Sequence, residues 1–140
     1  MSWIDLRQRL PWLQSTRVHV VAADREAALR AALAADGFRV LTLDGRAVLD
    51  ASGFFAAAAD GCGFPPHFGS NWDAFRDALG ELAEGPSKRV GLIWTGADIF
   101  VRLDLGTFVT AVTTLDDIAR DLAAAVQFEV FLLSHGPGAA

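Results

Sequence analysis

Residues 64–82 read FPPHFGSNWDAFRDALGEL, a stiff loop that feeds an amphipathic helix. Pro65 and Pro66 hold their own φ angles and push the residues before them into extended conformations. Gly69 is expected to supply a turn that a side chain would resist. Ser70 reads as the N-cap, with Asp73 three residues on giving a capping-box-like start at the positive end of the helix dipole. With successive residues 100° apart and Asp73 at 0°, Asp77, Glu81 and Glu84 fall at roughly 40°, 80° and 20°. Trp72, Ala74, Phe75, Ala78, Leu79 and Leu82 lie between roughly 100° and 260° on the same wheel. One face is therefore carboxylate and the other apolar. Most surface helices show this division, so the wheel assigns structure before it assigns a task.

Working outward, strands and helices alternate along the chain. Arg17 to Ala23, RVHVVAA, has the β-branched, apolar pattern of a strand buried on both faces, with His19 as a core or edge histidine. Asp24 is the expected N-cap of a helix over residues 25–35, whose apolar stripe is Ala28, Leu29, Ala32 and Leu33, and Gly37 ends it. Phe38 to Leu43 is the second strand, closed by Asp44-Gly45. The unit from first to second strand has the length of a right-handed βαβ crossover. A helix follows from about Leu49 to Asp60, stopped by Gly61 to Gly63, with Cys62 a buried or half-buried filler.

Beyond the break at residues 84–87, Lys88 to Trp94 reads as a third strand. A short helical turn over residues 96–102 leads to a helix over 103–125. Phe108, Val112, Leu115, Ile118, Ala119 and Leu122 form its stripe, and Asp116, Asp117, Arg120 and Asp121 lie mostly off it. Phe128 to Leu133 is the last strand, and residues 135–140 a frayed tail. The alternation predicts an α/β layered fold, with a mainly parallel sheet of three to four strands and helices packed on it. Before all this, Trp3, Leu6 and Leu10 keep helical spacing up to Pro11, in an arm that either packs its tryptophans on the domain or offers them to a partner.

The chain has 140 residues, 52% of them apolar, and a net charge of −5. That length suits a single domain with a proper core. The negative balance argues against a nucleic-acid ligand and suits a basic partner. Cys62 is the only cysteine, which excludes an intrachain disulfide and any cysteine-based metal cluster. Asp5, Arg7 and Arg9 interrupt the start, so no signal peptide is expected, and no apolar run approaches the ~18 residues of a membrane span. These features point to a cytoplasmic protein. Enzyme chemistry would have to use His67, Asn71, Asp73 and Asp77. Two carboxylates one turn apart could share a divalent cation, but no further ligand or nucleotide, hydrolase or zinc motif accompanies them. Neither catalysis nor a cofactor or metal is expected.

The order Pro65, Phe68, Gly69, Asn71, Trp72, Asp73, Ala74, Phe75, Asp77 and Leu79 resembles the central signature of the barstar family, small intracellular inhibitors of secreted bacterial ribonucleases. The resemblance covers roughly Arg39 to Ser134. It implies a core over residues 38–134 with a three-stranded parallel sheet, to which residues 1–37 add an arm, a strand and a helix. It also implies that Asp77 enters a ribonuclease's phosphate-binding centre, that Asp73 pairs with a nearby Arg or Lys, and that residue 67 stacks on the catalytic edge. Residue 76 would add contact area, and Asp121 matches a further acid on the last long helix. The implied partner-binding set is Asp73, Asp77, His67, Asn71, Arg76, Gly69, Phe68, Glu81 and Asp121, and the implied partner a basic microbial ribonuclease. Two positions depart from the best-known pattern, which has tyrosine where His67 stands and tryptophan where Arg76 stands. Arg76, at roughly 300° on the wheel, either turns away to an acid of its own chain or signals a different partner. A family-like module with a non-nuclease partner, or a small metal-assisted enzyme using Asp73 and Asp77, are the competing readings.

Overall fold

The computed structural model describes residues 3–46 and 48–135; the expected tail, apart from His135, lies outside the described residues. Its sheet has four strands, β1 (Val18–Ala22), β2 (Arg39–Asp44), β3 (Arg89–Thr95) and β4 (Gln127–Ser134), all parallel and ordered β1-β4-β3-β2. The helices are α1 (Leu6–Arg9), α2 (Glu26–Ala35), α3 (Ala51–Cys62), α4 (Trp72–Gly80), α5 (Ala97–Leu103) and α6 (Leu105–Leu122). The expected fourth parallel strand is present, but β1 and β2 occupy opposite edges. The crossover through α2 therefore passes beneath the whole sheet.

Position in the sheet decides how each strand is buried. The central strands β3 and β4 are buried at nearly every residue, which their unbroken apolar runs predict. Strand β1, expected to be buried on both faces, alternates instead. His19 and Val21 are covered, while Val20 is 74% exposed, because an edge strand has only α6 and one neighbour to shelter that face. Alternate residues of β3 and β4 feed two cores. Leu92, Trp94, Val130 and Leu132 meet Phe54, Phe75, Phe100 and Leu115 of α3, α4, α5 and α6. Ile93, Phe131 and Leu133 meet Leu29 and Leu33 of α2 and Leu6, Leu10 and Leu13 of the N-terminal segment.

That segment is a cover for the sheet's second face. Gln127 holds its start, accepting from Ile4 N–H at 2.9 Å and donating to Ile4 O at 2.6 Å. Trp12 lies under the Arg25 guanidinium, 5.1 Å from centroid to cation, and Arg9 pairs with Asp36. Asp24 does not cap α2. The chain leaves β1 through a 3₁₀ turn at Ala23–Arg25, which contains Asp24 and puts the cap position at Arg25 without a side-chain bond. His19 is a core residue, within hydrogen-bond distance of Glu129 (2.7 Å) and stacked on Phe131. Glu129 also accepts from Gln127 Nε2 at 3.4 Å, while the other ring nitrogen of His19, Nδ1, is buried with no hydrogen-bond partner.

Helix α3 runs two residues later than expected, because Asp50 is its cap and accepts from Gly53 N–H at 2.8 Å. Gly61 belongs to the helix, and the stop is Gly63, left-handed at φ 69°. A Cβ on Gly61 would lie 1.8 Å from Thr42 O, so α3 rests directly on the backbone of β2 there. This contact fixes where the chain emerges toward residue 64.

Candidate partner-binding surface

From Gly63 the chain enters the proline loop. Pro66 takes the second position of a turn closed by Phe68 N–H donating to Pro65 O at 3.0 Å. His67 is therefore held at an exposed corner. Phe68 turns inward, 4.8 Å from Phe64 between centroids and in edge contact with Phe55.

The left-handed residue that follows is Ser70, at φ 49°, and not Gly69. Gly69 serves close approach instead: a Cβ there would stand 3.2 Å from Asn71 Nδ2 and 3.4 Å from Ala74 Cβ. A left-handed Ser70 cannot be the cap, which needs extended backbone, and Asn71 with φ −141° and ψ 171° supplies it. Asn71 Oδ1 accepts from Ala74 N–H at 2.8 Å, while its Nδ2 donates to Gly69 O at 3.1 Å. One side chain thus ties loop to helix. Asn71→Ala is expected to cost about 1 kcal/mol, and Ser70→Gly to stabilise by about 0.5 kcal/mol by relieving the left-handed backbone. Denaturant midpoints of the two variants measure this, and the opposite order would return the cap to Ser70.

Helix α4 buries Phe75 and Leu79 and packs Trp72 edge-on against Phe55 at 4.8 Å, so it is clamped to α3 through aromatic rings. The α-helix ends at Gly80. Glu81 and Glu84 lie in a 3₁₀ turn and leave the 100° wheel, though both stay exposed. Asp77 and Glu81 line one cleft of about 210 Å³ together with His67, Phe68 and Gly69. Asp73, exposed in the first turn of α4, does not line it.

The acids here differ from most others in the chain. Among the described residues, the side chains of Asp73, Asp77, Glu81 and Glu84 make no hydrogen bond or ion pair. Asp5, Glu26, Asp36, Asp44 and Asp117 each hold an arginine. Arg76, the one base of α4, turns away and donates from Nη2 to Asp117 Oδ2 of α6 at 3.3 Å. Asp121, exposed one turn beyond Asp117 on the same helix, extends the acidic ground toward α6. Asp117 is the residue the sequence reading did not place in this set. Its pairing with Arg76 spans 41 positions, and local periodicity carries no sign of it. Among the described residues, no three His, Cys, Asp or Glu side chains gather closely enough to hold a metal ion, and no helix is long and apolar enough to cross a membrane.

These features define a parallel α/β protein that holds unpaired carboxylates on a helix and the turn that follows it. It belongs to the barstar family: residues 38–133 match the family model described as Barstar (barnase inhibitor). The match starts just before β2 and ends within β4, so α1, β1 and α2 lie outside it. No curated protein matches the chain. The family is one of inhibitors rather than enzymes, and a ribonuclease is its protein partner.

Proposed function

We propose that this chain works as one domain in the cytoplasm, where it binds and blocks the active site of a basic, secreted microbial ribonuclease. The supporting observation is the set of unpaired, exposed carboxylates of α4 and the turn after it, on a frame stiffened by Pro65, Pro66 and the Asn71 cap. A ribonuclease must present cations to its substrate's phosphates. Carboxylates in fixed positions can take those cations through charge-assisted hydrogen bonds, and a preformed frame loses little entropy on docking.

In this reading Asp77 takes the centre, with Glu81 beside it. Asp73 meets a flanking Arg or Lys, and the exposed His67 ring stacks on the enzyme's edge. Phe68, Gly69 and Asn71 hold the loop. Arg76 offers its flank while tied to Asp117, and Asp121 extends the contact. The second reading is a protein partner other than a nuclease, although Arg76, tied to Asp117, sets no free cation among the acids. Titrating the chain into barnase and into other small guanyl-specific microbial ribonucleases tests the first reading. Stoichiometric loss of RNA cleavage in at least one is the expected result, and full activity in all of them would leave the second.

A further inference from the structure

The two edges of the sheet are finished differently. Along β2, Gly45 N–H donates to Thr95 O at 3.0 Å, so Leu41, Leu43 and Gly45 bond β3 and Thr42 turns its backbone groups outward. Helix α3 closes that edge, because Gly61 stands against the Thr42 carbonyl. Strand β1 has no such cover. Val130 N–H donates to Arg17 O at 2.6 Å, so the odd-numbered residues of β1 bond β4, while Val18, Val20 and Ala22 turn their N–H and C=O groups outward. Val20 is 74% exposed, and the strand lacks the lysine, proline or bulge that commonly guards an edge.

Two of the outward groups are already used. Val18 N–H donates to Thr16 O at 2.8 Å, and the Ala22 carbonyl, at the cap of the 3₁₀ turn, accepts that turn's first bond. Val18 C=O, Val20 N–H, Val20 C=O and Ala22 N–H remain without a hydrogen-bond partner among the described residues. This remainder is complementary to itself. Let a second β1 run antiparallel to the first, with a two-fold axis between the Val20 residues. Each Val20 N–H then meets the other Val20 C=O, and each Ala22 N–H meets Val18 C=O of the other copy. The groups this pattern leaves over are the ones already bonded within the chain.

Charge agrees with the same register. Arg17 stands just before β1 and Asp24 just after it. Antiparallel pairing brings Arg17 of one copy toward Asp24 of the other, and Asp24 is exposed with no ion pair among the described residues. We propose that β1 is a self-association edge, at which two copies of the chain pair antiparallel about Val20 into one continuous sheet. Strand β1 lies outside the family match, so this edge belongs to the segment that the chain adds before it. Helix α6, which contacts both β1 and α4, separates the edge from the acidic surface. Pairing therefore leaves both acidic surfaces of the dimer open, and it does not depend on what α4 binds.

Sedimentation equilibrium over a dilution series tests the pairing. Wild type is expected to pass from monomer to dimer in the micromolar range, since one strand pair makes a small interface. Val20→Lys sets like charges directly opposite each other and is expected to weaken the dimer at least about 30-fold. The variant's unfolding temperature, measured on dilute monomer, should be nearly unchanged because the position is exposed. A second readout needs no variant and locates the contact. Hydrogen exchange at the Val20 and Ala22 amides of wild type should slow as concentration rises. A chain that stays monomeric throughout, a dimer that Val20→Lys leaves intact, or exchange at these amides indifferent to concentration would each overturn the inference.

Discussion

Asp77→Ala is expected to weaken binding to an inhibited ribonuclease by at least about 30-fold, because truncating one member of a buried, hydrogen-bonded charge pair costs ~2–5 kcal/mol. The complex of barnase with its own inhibitor is among the systems behind that range, so the magnitude carries over from the family. The position is this chain's own. Asp77 is exposed and its side chain makes no hydrogen bond or ion pair among the described residues, so the free protein should unfold at a nearly unchanged temperature. Association should also slow roughly tenfold as added salt shortens the Debye length from ~30 Å to ~3 Å, with dissociation changing much less. Stopped-flow binding at low and high salt measures both rates. An Asp77→Ala protein that inhibits like wild type, or an association rate indifferent to salt, would remove the carboxylate mechanism.

The second large effect concerns stability. Gly61→Val is expected to destabilise the fold by about 3 kcal/mol, near the upper end for overpacking, and to lower the unfolding temperature by about 10 °C. The added carbon would overlap the Thr42 carbonyl, a backbone atom that no rotamer change can move aside. Relief requires α3 to lift from β2, which would loosen the contacts of Phe54 with Phe75 and Trp94. It would also shift the start of the proline loop, so affinity should fall together with stability. Gly80→Ala is the contrast. A Cβ there meets nothing within 4 Å and the backbone is helical, so a gain of about 0.5–1 kcal/mol is expected. Thermal unfolding of both variants decides the matter, and a Gly61→Val protein as stable as wild type would show that the helix does not rest on β2 as described.

What could be read in advance follows from the range of the forces involved. The central strands were legible because burial on two faces leaves an unbroken apolar run, as in Arg89–Thr95 and Gln127–Ser134. The barstar family was legible too, in the order of residues around Asn71-Trp72-Asp73-Ala74, which lies within the matched residues 38–133. Exposed edges were not legible, since Val18–Ala22 is as apolar as a buried strand and only its place beside β4 exposes Val20. Caps failed where backbone handedness decides, as with Ser70 and Asn71, or where a tight turn absorbs the capping residue, as with Asp24. Of the two outcomes open for Arg76, the structure shows the pairing within the chain, which only the packing of α6 against α4 could decide.

The clip between Ile4 and Gln127 joins groups 123 positions apart, and Val18 pairs with Val130. A chain that leaves the ribosome from its N-terminus therefore makes β1 long before the strand it must lie against. The α3–α4 framework and the β2–β3 pairing depend on segments synthesised earlier than β4. The second core has to wait for Phe131 and Leu133. Order of synthesis and order of packing thus run in opposite senses at this end. Strand β1 has no partner to pair with until β4 is made, and closing so long a loop adds to the entropy that its packing must overcome.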